Sequence, residues 1–160
     1  MREAGDGEAT GDRFAMWPKT LQERIGRDRV VEGGPAEKRL RVLVVEDNAL
    51  VAFDLEDSLE RFGHQVVARA ASASGAVLAA AEHRPDLVLM DVSLADGSDG
   101  IQAAIDIREQ VGTPAVFVTG YTDRATRQRA AEARPVGMLH KPVQPADVAA
   151  ALQRIAALMA

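Results

Sequence analysis

Charged and hydroxyl side chains follow short apolar runs at four places in the chain. Glu46 and Asp47 follow VLVV, Asp91 follows LVLM, Thr119 ends VFVT, and Lys141 follows MLH. If these positions meet in the fold, three carboxylates lie together, at a cost of about 4 kcal/mol per pair near 4 Å. A hard divalent cation such as Mg²⁺ relieves that repulsion and binds phosphate oxygens as well. An aspartate beside such a cation can act as a nucleophile toward a phosphoryl group.

The elements that would bring these residues together alternate along the chain from Leu40. Five apolar runs read as strands: LRVLVVED, HQVVARA, DLVLMD, PAVFVTG and VGMLHKP. Between and after them, helical spacing predicts five helices. Asn48 is a predicted N-cap, Gly63 and Pro85 are predicted stops, and Pro145 opens the last helix. The third helix is marked by Ile101, Ala104, Ile105 and Arg108, and the fourth by residues 123–133.

This alternation predicts an α/β fold, a doubly wound five-stranded parallel sheet with helices on both faces. Strands covered on both faces are continuously apolar, which accounts for LVLM without any appeal to function. Ligands bind such sheets beyond the carboxyl ends of the strands. We therefore expect Glu46, Asp47, Asp91, Thr119 and Lys141 to meet at that edge. The alternative for Glu46 and Asp47 is a helix N-terminal charge pair, which does not explain the other three.

Composition excludes several classes of protein. The 160 residues are 47% hydrophobic, carry a net charge of -5 and include no cysteine. Disulfides, thiolate metal sites and cysteine nucleophiles are thereby excluded, and the charge gives no case for nucleic-acid binding. No signal peptide and no membrane span is visible, so we expect a cytoplasmic protein. The histidines His64, His83 and His140 are too scattered for a metal site and are taken as surface or strand-end residues.

Residues 1–37 differ from the rest and are predicted to be a flexible extension before a domain of residues 38–160. They hold six of the thirteen glycines, and EGGPAEK is typical of a linker. The alternative is an arm that docks on a partner through its apolar residues: Phe14, Met16, Trp17, Leu21 and Ile25.

From Leu40 onward the chain resembles the receiver domain of bacterial two-component response regulators. The resemblance rests on VVEDN, LVLMDVSL, VFVTGY and LHKP in that order. It implies strand order 2-1-3-4-5, phosphorylation of Asp91, and Mg²⁺ held by Glu46, Asp47, Asp91 and the backbone carbonyl of Ser93. Thr119 becomes the switch hydroxyl that moves toward the phosphoryl group, Lys141 the salt-bridge partner of that group, and Pro142 a cis proline.

The sequence departs from the family pattern at two places. Glu46 stands where aspartate is more usual, which lengthens one metal ligand. Met138 stands where most receivers carry Tyr or Phe, so the usual aromatic switch is missing. Tyr121 is a candidate substitute, and its alternative is an ordinary loop residue. FVTGY and ADGSDGI also resemble a stand-alone subgroup with an F-A-T-G motif, often paired with HWE-type histidine kinases, although Val118 replaces the motif's alanine.

The expected function is therefore that of a phosphoacceptor signalling protein rather than an enzyme. A histidine kinase or phosphotransfer protein would donate the phosphate, and a downstream protein would bind the face of helix 4, strand 5 and helix 5. We expect a monomer or weak dimer, with no output domain after the fifth helix. The alternatives are a pseudo-receiver without phosphate chemistry and an aspartyl-nucleophile phosphohydrolase. The hydrolase would need a carboxylate where Ser93 stands.

Overall fold

The computed structural model describes residues 38–94, 96–120 and 123–159. The N-terminal extension of residues 1–37 and the candidate switch Tyr121 lie outside these ranges. Within them, none of the helices combines the length and apolarity needed to span a bilayer.

Strands and helices alternate from the first element to the last, as predicted. The strands are β1 Arg41–Val45, β2 Gln65–Ala70, β3 Leu87–Asp91, β4 Ala115–Thr119 and β5 Gly137–His140. The helices are α1 Ala49–Arg61, α2 Ala73–His83, α3 Gly100–Val111, α4 Arg124–Glu132 and α5 Pro145–Met159. Every strand pair is parallel, and the order is β2-β1-β3-β4-β5. Both the fold class and the strand order are confirmed.

The sheet separates two apolar cores, because successive side chains of a strand point to opposite faces. Leu87 and Leu89 of β3 pack with α1 and α5, whereas Val88 and Met90 pack with α2, α3 and α4. All five residues of β3 are buried, and so are all five of β4. The apolar runs therefore serve both cores at once and hold the strand ends in fixed positions.

Helix boundaries follow the predicted signals. The Asn48 side chain accepts hydrogen bonds from the backbone N–H groups of Leu50 and Val51, as an N-cap does. At the other end of α1, Gly63 takes a φ of 87°, a left-handed conformation that glycine adopts without strain. Helix α2 ends at His83, directly before the segment that leads to Pro85.

Five side chains lie differently from the expectation. In α3 the buried positions include Ala103 and Ile107, while Ile105 is only half-buried, because the helix is rotated relative to the predicted stripe. Met159, in the last turn, is also half-buried. His64 is buried rather than on the surface, and its Nδ1 accepts a hydrogen bond from the Leu40 backbone N–H at 3.2 Å.

Candidate functional site

Two acidic residues leave the end of β1 in different environments. The backbone N–H of Glu46 donates to the carbonyl of Ala70 at 3.0 Å, so the residue continues the pairing with β2. Its side chain is buried, and Oε1 accepts a hydrogen bond from the Asn48 backbone N–H at 3.2 Å. Asp47 is more exposed. Glu46 is thus held by the backbone, and Asp47 faces the solvent side of the same edge.

Asp91 is the last residue of β3, a central strand flanked by β1 and β4. Its side chain is buried, and Oδ1 accepts a hydrogen bond from the backbone N–H of Ser93 at 3.1 Å. The apolar run of β3 therefore carries this carboxylate to the middle of the carboxyl edge.

The ammonium group of Lys141 joins two of these carboxylates. Its Nζ donates to Glu46 Oε2 at 2.9 Å and to Asp91 Oδ2 at 3.1 Å. Lys141 directly follows β5, and its backbone N–H donates to the Thr119 carbonyl at 2.9 Å, which fixes the start of the side chain. The peptide bond from Lys141 to Pro142 is cis, as the resemblance implied.

The three carboxylates form one cluster. Ligand atoms of Glu46, Asp47 and Asp91 lie within 4.8 Å of one another. Burial raises the pKa of the Glu46 carboxyl, and repulsion from Asp91 adds to the rise, while the bond from Lys141 opposes it. Burial alone would lower the pKa of Lys141, but its bonds to Glu46 and Asp91 prevail and raise it. The lysine stays charged, yet one ammonium faces three acidic groups.

This donor set fits a magnesium ion. All three side chains offer oxygen, the ligand that Mg²⁺ prefers, and the cluster has more negative charge than Lys141 balances. Asp47, the most exposed of the three, lies where a partly hydrated ion has access from solvent. The cluster is thus chemically suited to a hard divalent cation, as the sequence predicted.

Thr119 ends β4, the neighbour of β3, and its side chain is buried. In the sheet register Asp91 lies opposite Val118, so Thr119 is one residue further toward the carboxyl edge. The sheet therefore places its hydroxyl-bearing residue at the same edge as the carboxylates and Lys141.

Two further candidate residues lie at or near this edge. Ser93, whose backbone N–H contacts Asp91, sits in the loop after β3 and is exposed. Met138 lies opposite Phe117 within the sheet and is buried in the core shared with α2, α3 and α4. Met138 therefore belongs to the core and not to the carboxyl edge itself.

Gly100 contributes to the site in a way that the sequence did not reveal. A Cβ atom at this position would lie 2.0 Å from the Asp91 carbonyl oxygen and 3.2 Å from the Val92 Cα. The N-terminus of α3 thus packs directly on the backbone of Asp91, and only glycine permits that approach. The signal was present in the turn-rich stretch DGSDG, but only the fold identifies which glycine is required.

A set of polar contacts anchors the loop between β3 and α3. The Asp99 side chain caps α3 by accepting from the Ile101 and Gln102 N–H groups, and it also pairs with Arg129 of α4. Ser98 Oγ accepts a hydrogen bond from the Ala73 N–H at the start of α2, at 3.0 Å. The loop that follows Asp91 is therefore tied to both neighbouring helices.

Comparison with known proteins identifies this arrangement. The family model of the response regulator receiver domain matches residues 42–153. The phyllosphere-induced regulator PhyR of Methylorubrum extorquens is 38% identical over 132 residues, which are 80% of this chain and 49% of PhyR. The transcriptional regulatory protein PdtaR of Mycobacterium tuberculosis is 37% identical over 113 residues, 71% of this chain and 55% of PdtaR.

Solved structures agree with the sequence matches. The signal receiver domain of a modulated diguanylate cyclase from Desulfovibrio desulfuricans superposes with a TM-score of 0.69 at 31% identity, covering 77% of this chain and 100% of that one. The chain spans about half the length of the two curated relatives. On the sequence match, the strand order and the acidic cluster together, the chain belongs to the response regulator receiver domain family.

Proposed function

We propose that this protein accepts a phosphoryl group on Asp91 from a histidine kinase or phosphotransfer protein and passes the signal on by protein contact. The observation that carries the proposal is the Lys141 ammonium, which bonds both the buried Glu46 and the buried Asp91 carboxylate. Membership of the receiver family supports a signalling role rather than an enzymatic one. The F-A-T-G-like stretch favours an HWE-type kinase as the donor.

The transfer is a displacement at phosphorus. A carboxylate oxygen of Asp91 forms a bond to phosphorus, and the bond from phosphorus to the donor imidazole nitrogen breaks. The electron pair stays on that nitrogen, which takes up a proton, and Asp91 becomes an acyl phosphate. Because β3 holds Asp91 at the centre of the edge, catalysis is mainly positioning and charge neutralisation.

The neighbouring side chains have separate tasks in this proposal. Lys141 neutralises one oxygen of the transferred group, and the Thr119 hydroxyl donates a hydrogen bond to another. Glu46, Asp47, Asp91 and the Ser93 carbonyl would hold Mg²⁺. When bound, the ion supplies charge neutralisation for the phosphate oxygens.

The output surface in this proposal is the face of α4, β5 and α5. Arg124, Arg127 and Arg134 are exposed in or beside α4, whereas Arg129 pairs with Asp99. Phosphorylation would shift a two-state equilibrium of this face toward the form that a downstream protein binds. Because Met138 is a buried aliphatic residue, any change there involves repacking of the core rather than rotation of a ring.

A phosphohydrolase of the aspartyl-nucleophile class fits the site less well. That reaction needs a carboxylate two residues after the nucleophile, to act as acid and base. Ser93 occupies the position, and its contact with Asp91 is a backbone hydrogen bond. An acyl phosphate on Asp91, rather than continuous turnover of a phosphomonoester, is therefore the expected product.

Intact mass spectrometry after incubation with acetyl phosphate tests the proposal. With Mg²⁺ the wild-type protein should gain the mass of one phosphoryl group, and the gain should disappear in Asp91→Asn and after chelation of the metal. Asp106→Asn, in α3 away from the cluster, is the matched control and should be phosphorylated like wild type. A wild type that gains no mass, even when offered several histidine kinases, would make the chain a pseudo-receiver. Continuous release of phosphate from phosphomonoesters would favour the hydrolase.

A further inference from the structure

The outward side of α1 carries two large apolar residues in solvent. Leu50 is 72% exposed and Phe53 is 58% exposed. They are three residues apart, so they lie next to each other on the helix surface. The opposite side of α1 packs inward through Ala52, Leu55 and Leu59. No element among the described residues covers the Leu50–Phe53 pair, which makes it a candidate contact surface.

The same helix is strongly acidic. Between Ala49 and Arg61 four acidic residues stand against one basic residue, a net charge of -3: Asp54, Glu56, Asp57 and Glu60 against Arg61. Glu56 pairs with Arg69, and Asp57 pairs with Arg61. Asp54 and Glu60 form no ion pair with any other residue that the structure describes. A segment that covers the apolar pair should therefore be apolar and basic.

Residues 13–29 have this composition. Their sequence, RFAMWPKTLQERIGRDR, contains five basic and two acidic residues, a net charge of +3 that mirrors the -3 of α1. The apolar residues Phe14, Met16, Trp17, Leu21 and Ile25 are interleaved with the basic ones. The segment lies outside the described residues, so this comparison rests on its sequence alone.

The covalent path allows the segment to reach α1. The described chain starts at Lys38. The hydrogen bond from the Leu40 N–H to His64 places this first segment beside the C-terminal end of α1. Phe53 lies eight residues back along the helix from Arg61, about 12 Å at 1.5 Å per residue. The thirteen residues from Ile25 to Lys38 can span roughly 40 Å when extended. The linker is thus several times longer than the distance along the helix.

We propose that residues 13–29 dock within the same chain on the outward side of α1, with their apolar residues on Leu50 and Phe53. Their basic residues then lie near Asp54 and Glu60. The inference is independent of the proposed phosphoryl transfer.

Trp17 is the only tryptophan of the chain, so its fluorescence reports on docking directly in the full-length protein. Docked Trp17 should emit at short wavelength and resist quenching by acrylamide. In Phe53→Glu the docking equilibrium constant should fall about tenfold or more, because burial of the phenyl ring is lost. Emission then moves to longer wavelength and quenching rises. Leu78→Glu is the matched control, since Leu78 is 71% exposed on α2, across the sheet, and should leave Trp17 unchanged.

Charge and concentration complete the test. Asp54→Lys should weaken docking several-fold, and added salt should weaken it in wild type, because the attraction is screened. Three results would overturn the inference. Trp17 could be as accessible in wild type as in Phe53→Glu, which would leave α1 free for another protein. Its protection could survive Phe53→Glu and Asp54→Lys. Its protection could also depend on protein concentration, which would identify a second copy as the occupant.

Discussion

The two edges of the sheet differ in how many charged side chains they bring together. At the amino edge two side chains bond to backbone groups: Asp86 accepts from the Arg41 N–H at 2.9 Å, and Thr113 donates to the Pro85 carbonyl at 2.9 Å. At the carboxyl edge Glu46 and Asp91 also accept backbone hydrogen bonds, but Lys141 joins their two charged side chains to each other. The amino edge satisfies backbone groups, and the carboxyl edge concentrates charge.

This difference separates stability from chemistry. A side chain that satisfies a buried backbone group stabilises the fold and has no reactive partner. A cluster of carboxylates repels itself and becomes favourable when a cation or a phosphoryl group is bound. We therefore expect substitutions at the amino edge to change the free energy of unfolding alone. Substitutions at the carboxyl edge should change it in a way that depends on Mg²⁺.

The largest effect is expected for Lys141→Met. Without its ammonium group the buried Glu46 and Asp91 carboxylates are left unpaired, and we expect the free energy of unfolding to fall by about 3 kcal/mol. Denaturant unfolding with and without Mg²⁺ measures this, and the ion should restore much of the loss. Lys38→Met is the matched control, because Lys38 forms only an exposed pair with Asp86 at the amino edge. Its effect should stay below about 0.5 kcal/mol. Equal losses in the two variants would remove the contrast between the edges.

Gly100→Ala should lower the free energy of unfolding by about 2 kcal/mol, because the new methyl group overlaps the Asp91 carbonyl and the strand end must shift. Phosphorylation of Asp91 by acetyl phosphate should slow as well. Gly120→Ala is the control: it lies after β4 at the same edge, and a Cβ there meets no atom within 4 Å. If the two variants unfold alike, the packing of α3 on Asp91 is not what positions the carboxylate.

The smallest of these effects is expected at the amino edge, for Thr113→Val. The buried Pro85 carbonyl loses its hydrogen bond, so the free energy of unfolding should fall by about 1 kcal/mol. The yield of phosphorylated protein, measured by intact mass, should stay at the wild-type level. A clear loss of phosphorylation would mean that the two edges are coupled through the sheet.

The sequence predicted most of the fold and the main residues of the candidate site, because both depend on local patterns. The continuous runs ending at Asp91 and Thr119 are buried strands, and Asn48 and Gly63 act at the ends of α1 as expected. Parallel strands then bring the residues at their ends to one edge without any further information.

What the sequence did not predict depends on contacts between distant segments. Arg129 and Asp99 are thirty residues apart, and nothing local marks them as a pair. His64 is buried because the segment that leads into β1 lies against it. In the sequence His64 is one polar residue before β2, and nothing near it indicates this contact. The requirement for glycine at position 100 appears only when α3 is placed on β3.

The most direct test of the contrast is the stability of Asp91→Asn relative to wild type, measured by denaturant unfolding with and without Mg²⁺. Without divalent cations the variant should be more stable by about 1 kcal/mol, because one like charge is removed while Lys141 keeps its bond to Glu46. With Mg²⁺ the advantage should vanish, since wild type gains the ion and the variant binds it less tightly. A variant that is less stable than wild type by the same amount in both conditions would contradict the account, because Asp91 would then be an ordinary structural residue.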